Sequence, residues 1–283
     1  MVTISMDQLT AQEAQQYLQA AIVPRPICFA STQDAQGNVN LSPFSFFNLF
    51  SIQPPICVFS PSRRVRDNST KHTLDNLYEV PECVINLVNY AMVQQMSLSS
   101  CEYPKGVNEF IKAGFTPIPS ETVAPPRVAE SPIQLECSVQ QIIPLGDQGG
   151  AGNLVVAEIK RMHISESVLN AQQKIDPVLL DLVARLGEDG YARITASNIF
   201  RVEKPNTKLG IGIDHLPEYI AQHPELSGNE KAQLANVHAL PAFFQQHAVR
   251  KLTAEQIQSI KIALANNEVA LAWTLIENSV SHQ

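Results

Sequence analysis

Ile27-Cys-Phe-Ala-Ser-Thr32, Asp34-Ala-Gln-Gly37-Asn38 and Val39-Asn-Leu41 follow one another as a β-like run, a cluster of turn residues and a returning run. Together they read as a β-hairpin, because Asp, Gly and Asn supply the chain reversal between two apolar segments. Ile56-Cys-Val-Phe59 and Cys83-Val-Ile-Asn-Leu-Val88 read as further buried strands. Ile133–Ile143 and Asn153–Ile164 read as two long strands joined by Gly146-Asp-Gln-Gly-Gly-Ala-Gly152, and Val155, Ala157 and Ile159 alternate as a half-buried sheet requires. Strands arriving as hairpins and short pairs, not as regular βαβ units, predict an antiparallel barrel over a doubly wound sheet.

Helical signals sit between these strands. Thr10-Ala-Gln-Glu13 is a capping box and predicts a helix to about Ala21, stopped by Pro24-Arg25-Pro26. Thr73 is placed to cap a helix through about Val80, and helices are predicted over Ala91–Ser100 and Asn108–Ala113, the second ended by Gly114. Pro117–Pro132 holds five prolines, too many for regular structure. Asp176-Pro177 predicts a helix running to Leu186, and Ser197–Glu203 reads as a last strand. Beyond Pro205 the pattern becomes wholly helical over Leu216–His223, Gly228–Val237, Leu240–His247, Thr253–Asn266 and Glu268–Ser279, with Trp273 in the apolar stripe of the last. The predicted organisation is therefore a mainly β domain with helices over residues 1–204 and an all-helical C-terminal extension over 205–283.

Composition narrows the function. The 283 residues carry a net charge of -7, which offers no global field for nucleic acid or an anionic membrane, so any anion site must be local. The five cysteines are odd in number and widely spaced, with no pair two residues apart. They read as reduced, mostly buried packing residues, and no metal site is predicted. The N-terminus lacks the basic and apolar regions of a signal peptide, and no apolar stretch approaches the ~20 residues of a membrane span. The expectation is a soluble, cytoplasmic protein. No His-Glu-x-x-His, no phosphate loop ending in Gly-Lys-Ser/Thr and no Rossmann fingerprint is present. No catalytic residue stands out.

Two segments carry positive signals. Between Ser60 and Thr73, Arg63, Arg64, Arg66 and Lys71 place four cations within nine residues, opposed only by Asp67 and interleaved with the hydroxyls of Ser60, Ser62, Ser69, Thr70 and Thr73. A helix follows at once, so charge, hydroxyls and free amides converge as a phosphate group requires. An exposed basic loop is the competing reading. The second segment, Asn40-Leu-Ser-Pro-Phe-Ser-Phe-Phe-Asn48, alternates short polar side chains with aromatics, which suits either a planar ring ligand or a barrel core strand with a turn. One short strand separates the two, so both can lie at one rim of a barrel. A ring site beside a phosphate site describes flavin mononucleotide (FMN), and pyridoxal phosphate fits as well. Glu102, Tyr103 and Lys105 read either as an ordered surface turn or as residues that approach the ligand and gate substrate.

Pro24-Arg-Pro-Ile27, Asn40–Asn48, Pro54-Pro55 and Ser60–Thr73, taken in order, resemble the flavin reductase-like, FMN-binding split-barrel family, which includes flavoredoxin. Tyr103-Pro-Lys-Gly-Val-Asn-Glu-Phe110, Pro126-Arg-Val-Ala-Glu-Ser-Pro132 and Leu135-Glu-Cys137 agree with it, and the resemblance covers roughly residues 20–205. It implies a six-stranded split β-barrel and a homodimer with FMN near the subunit interface. Asn40, Leu41, Ser42, Ser45, Phe46 and Phe47 match the stretch that lines the isoalloxazine. Ser60, Ser62 and Arg63, with Lys71, His72 and Thr73, match the stretch that holds ribityl and phosphate. Lys71-His72-Thr73 stands where the family often has Lys-Asp-Thr, and Asn108 stands where Asp is expected. The implied activity is NAD(P)H-dependent flavin reduction, with NADH or NADPH as hydride donor and a partner oxygenase as a possible acceptor. An FMN-holding electron carrier without NAD(P)H turnover is the alternative, and an oxidase resembling the pyridoxamine phosphate oxidases ranks below both.

Overall fold

The computed structural model describes residues 1–203, 209–242 and 252–278, and it divides into two compact units, Met1–Ile199 and Phe200–Gln283. The first unit opens with helix α1 (Ala11–Ala21), capped by the Thr10–Glu13 box. The hairpin of β1 (Cys28–Gln33) and β2 (Val39–Phe44) follows. Its turn is held by Asp34 Oδ1, which accepts the amides of Gln36 and Asn38, and by Gly37 at φ 84°. Strands β3 (Phe47–Ile52) and β4 (Pro55–Phe59) form a second hairpin. Then come α2 (His72–Glu79), β5 (Glu82–Leu87), α3 (Val93–Leu98) and α4 (Glu109–Ala113), the last between the Asn108 cap and Gly114 at φ 71°.

A two-residue pair, β6 (Pro117–Ile118) with β7 (Arg127–Val128), lies within the proline-rich connection, where no regular structure was expected. The long hairpin of β8 (Ile133–Pro144) and β9 (Asn153–Ile164) completes one seven-stranded antiparallel sheet in the order β2-β1-β5-β8-β9-β4-β3. The resemblance implied six strands. The seventh arises because the chain bends at Ser45-Phe46 and continues as β3 on the opposite edge.

The sheet curls. Phe44 on edge strand β2 and Phe59 on β4 bring their rings to 5.7 Å, although four strands lie between them in the order. Cys28, Ala30, Cys57, Cys83, Ile85, Cys137 and Val155 fill the interior with those rings. The curl stays open between β2 and β3, which makes it a split antiparallel barrel. A second core of Phe29, Leu41, Met92, Met96, Phe110 and Phe115 packs α3 and α4 on its outside. All five cysteines are free, four of them buried and Cys101 exposed.

Two sequence expectations fail between residues 177 and 203. The helix opened by Asp176 ends after one turn as α5 (Pro177–Leu180), where Asp181 adopts φ 49°. The chain then forms a hairpin of β10 (Val183–Arg185) and β11 (Tyr191–Arg193) instead of helix to Leu186. Val88 and Arg25 supply the partners: the Val183 amide donates to Val88 O, and Arg185 bridges to Arg25. Ser197–Glu203 forms no strand and begins within a short 3-10 turn over Ala196–Asn198.

The second unit is helical: α6 (Glu218–Ala221), α7 (Gly228–Ala235), α8 (Ala254–Ala265) and α9 (Val269–Asn278). Ser227 and Thr253 open α7 and α8 with capping boxes, and Ile220, Leu234, Ile257, Ile260, Trp273 and Ile276 form the core. The predicted boundary at 204/205 and most of the predicted helix Leu240–His247 fall outside the described residues. Among the described residues, no helix is long and apolar enough to cross a membrane.

Candidate functional site

Strand β2 and helix α2 meet at one rim of the barrel. Asn40 Nδ2 donates to Thr73 Oγ1 at 2.8 Å, a buried bond between them. Beside it lies a cleft lined by Asn40, Ser42, Lys71, His72 and Thr73, by Arg64 from the cationic loop, by Ser99–Tyr103 and by Glu109. Its free interior is about 20 Å³, room for about one water-sized group. Its lining combines two cations, an imidazole and hydroxyls with the carboxyl groups of Glu102 and Glu109. Lys71 precedes α2 without a side-chain cap on the helix, so the amides of the first turn receive no side-chain acceptor from it.

Each charge in the cleft responds to its surroundings. Burial pushes the Lys71 ammonium below its ordinary pKa, with Arg64 adding to the effect. Burial and then Arg64 also depress His72, which leaves the imidazole neutral at pH 7 and able to donate from one ring nitrogen. Glu109 is 5% exposed. Burial raises its carboxyl, against the lowering effect of the Leu41 amide, which donates to Oε2 at 3.0 Å. That bond fixes the backbone of β2 at the rim.

The cationic loop is built from outside. The Arg63 amide donates to Ala151 O at 2.8 Å, and the Gly150 amide donates back to Arg63 O at 3.0 Å, so the β8–β9 turn pairs with the loop. Asn68, at φ 59°, accepts from Arg63 Nε at 2.7 Å and donates to Asp147 O at 2.8 Å. Arg64 donates to Ser69 Oγ at 2.9 Å and to the Thr70 carbonyl, and its Nε lies 3.2 Å from Glu102.

The expected site residues separate into groups. Asn40, Ser42, Lys71, His72 and Thr73 share the cleft. The Leu41 side chain points instead into the helix-covered core, and only its amide faces Glu109. Ser45 is held by Arg25 Nε at 3.3 Å, Phe46 is 43% exposed, and Phe47 packs against the barrel core. Ser60 Oγ accepts the Asn153 amide at 3.0 Å, which ties it to β9. Ser62 is half-buried beside these. Arg63 is engaged by Asn68, and Arg64 is the guanidinium on the cleft. Thr73 lies inside the first turn of α2 instead of capping it, which frees its hydroxyl for Asn40.

Ser99, Ser100, Cys101 and Glu109 line the cleft without having been singled out. Ser99, Ser100 and Cys101 come from the turn that follows α3 and Glu109 from α4, and only the Gly114 stop hinted at the placing of α4.

Comparisons with known proteins bear on the family and the fold. Residues 20–181 match the family described as flavin reductase like domain. An uncharacterized protein of Halalkalibacterium halodurans is 33% identical over 204 residues, which cover 71% of this chain and 96% of that protein. The crystal structure of nitrilotriacetate monooxygenase component B from Bacillus cereus superposes with a TM-score of 0.67 at 28% identity, over 71% of this chain and 98% of that one. That of the 2-nitrobenzoate 2-nitroreductase of Pseudomonas fluorescens does so with a TM-score of 0.64 at 26% identity, over 75% of this chain and 100% of that one.

Proposed function

Because the chain belongs to the flavin reductase-like family, we propose that it binds FMN at the β2–α2 rim and transfers a hydride to it from NADH or NADPH. The observation that carries the reading is the convergence of Arg64, Lys71, His72 and Thr73 with Asn40 and Ser42 on one cleft. The Arg64 guanidinium, the Lys71 ammonium, the His72 imidazole and several hydroxyls make a donor set suited to a phosphomonoester. FMN, when bound, supplies the redox chemistry by accepting the hydride at its ring and passing electrons on.

The protein's own residues bind and orient. Lys71 and Arg64 hold the phosphate charge, and His72 donates to it. Ser60, Ser62 and Arg63 shape the loop beside the phosphate and ribityl chain. Asn40, Leu41, Ser42, Ser45, Phe46 and Phe47 offer backbone groups, hydroxyls and aromatic surface to the ring. Glu109 steadies that strand through the Leu41 amide. Hydride transfer from nicotinamide to flavin needs no acid from the protein, so no side chain is given that role.

The cleft interior is too small for a three-ring system, so the ring lies outside it, over the rim. On the opposite edge of the sheet, Leu49, Phe50 and Ile52 of β3 are 51%, 69% and 76% exposed. An apolar, unpaired edge of this kind calls for a cover. The proposed cover is a second copy of the chain, as in the homodimer with FMN near its interface that the family resemblance implies. The Bacillus cereus neighbour is one component of a monooxygenase, and an oxygenase that receives reduced flavin is the corresponding partner here.

Purified protein tests the reading directly. Any yellow ligand is identified by absorption and mass, and oxidation of NADH and NADPH is followed with and without added FMN. A colourless protein that takes up no FMN ends the proposal. FMN uptake with no turnover of either nucleotide leaves a flavin-holding electron carrier instead.

A further inference from the structure

We propose that Glu102 is an internal competitor for the flavin phosphate, and that by occupying Arg64 and Arg66 it makes the flavin exchangeable and selects for a phosphomonoester. The inference rests on the reading of the cleft as the phosphate site. Glu102 Oε1 lies 3.2 Å from Arg64 Nε, and Oε2 lies 2.9 Å from Arg66 Nη2. Each carboxylate oxygen thus takes a separate guanidinium, as two oxygens of a phosphate would.

The two partners differ in freedom. The Arg64 side chain is 14% exposed and is anchored from behind by Ser69 Oγ and the Thr70 carbonyl. The Glu102 side chain is 44% exposed and sits on the turn that follows α3, where the Cys101 amide donates to Leu98 O and the Tyr103 amide to Cys101 O. Glu102 can therefore swing into water while Arg64 keeps its place.

A phosphomonoester carries about -1.5 to -2 charges at pH 7 and three acceptor oxygens, against one charge and two oxygens for the carboxylate. It displaces Glu102. Riboflavin has no charge at that end and leaves the ion pairs intact. Glu102 re-forms both pairs as FMN departs, so its influence falls mainly on release. Ion pairs made by a carboxylate this exposed add little to folding stability, which gives the competitor role a signature separate from a structural one.

The test uses the full chain with Glu102→Gln and Glu102→Ala, titrated with FMN and with riboflavin by flavin fluorescence, and FMN release followed by stopped flow. In Glu102→Gln the FMN Kd is expected to fall about fivefold, mostly through slower release, while the riboflavin Kd stays within about twofold. Unchanged or weaker FMN binding in both variants, with the wild type still preferring FMN over riboflavin, overturns this inference alone. Equal tightening of both ligands also overturns it, since it marks a steric lid. A wild type that binds the two flavins equally overturns the phosphate site and this inference with it.

Discussion

Asn40 Nδ2 donates to Thr73 Oγ1 at 2.8 Å, and both side chains are buried. This one bond joins the strand proposed to carry the ring with the helix proposed to carry the phosphate. Thr73→Val keeps the shape of the side chain and removes the acceptor. A buried amide left without its partner costs about 1–3 kcal/mol. The expected result is a lower denaturant midpoint at unchanged slope, with Thr73→Ser restoring most of the loss. An unchanged midpoint in Thr73→Val would mean that another acceptor takes over.

Arg63 and Arg64 are adjacent in sequence and serve different ends. Arg64 lines the cleft with Lys71, whereas Arg63 is turned toward Asn68. Lys71→Ala and Arg64→Ala are each expected to weaken FMN by about tenfold to a hundredfold, the value of one charge-assisted contact, and riboflavin far less. Arg63→Ala should cost less FMN affinity than either. Paired titrations with the two flavins decide it, and an Arg63→Ala loss as large as that of Lys71→Ala would show that Arg63 turns into the cleft on binding.

That distinction marks where the sequence stops being readable. Period-two alternation and the Asp34–Asn38 turn are local signals, and they located the β1–β2 and β8–β9 hairpins but not β3–β4 or β10–β11. The same holds for the capping boxes at Thr10 and Thr253, whose hydrogen bonds close within three residues. The cluster of cations between Ser60 and Thr73 was visible as well. Which guanidinium faces the cleft was not, because side-chain direction in an irregular loop is set by distant partners such as Asp147 and Ala151. Leu179, Leu180, Val183 and Leu186 have helix-like spacing, yet Asp181 turns left-handed and Val183 pairs with Val88 across the fold. Glu109 reaches Leu41 from 68 residues away, with no local trace of the contact.

Glu136 gives the fold a defined acid sensitivity. Its carboxylate is fully buried, and burial alone would raise its pKa. Hydrogen bonds from the Thr122 hydroxyl, the Glu121 amide, His163 and the Thr122 amide overcome that and hold it down to about 2. The folded value lies below the unfolded one, so the stabilisation is complete above the ordinary Glu value of 4.5 and is lost as pH falls toward 2. Unfolding midpoints of the wild type should therefore drop through that window. Glu136→Gln should lower stability at pH 7 and flatten the acid limb. A variant with the same acid limb as the wild type would assign the sensitivity to other carboxylates.

Gly149 tests whether the β8–β9 turn sets the geometry of the cationic loop. A Cβ at Gly149 would stand 2.9 Å from Val65 O and 3.0 Å from Arg64 O. Both contacts are backbone, which cannot rotate away, so the loop or the turn must move. The neighbouring pairs, Arg63 with Ala151 and Gly150 and Asn68 with Asp147, couple that movement to the backbone that carries Arg64. A guanidinium displaced by a fraction of an ångström loses much of a charge-assisted bond. Gly149→Ala is therefore expected to weaken FMN about tenfold without altering any side chain on the cleft. Gly146→Ala is the matched control, since its Cβ would meet only the Ala151 side chain, at 3.3 Å. If both variants bind FMN as the wild type does, the turn does not govern the loop, and the positions of Arg64 and Lys71 are set by α2 and Ser69 alone.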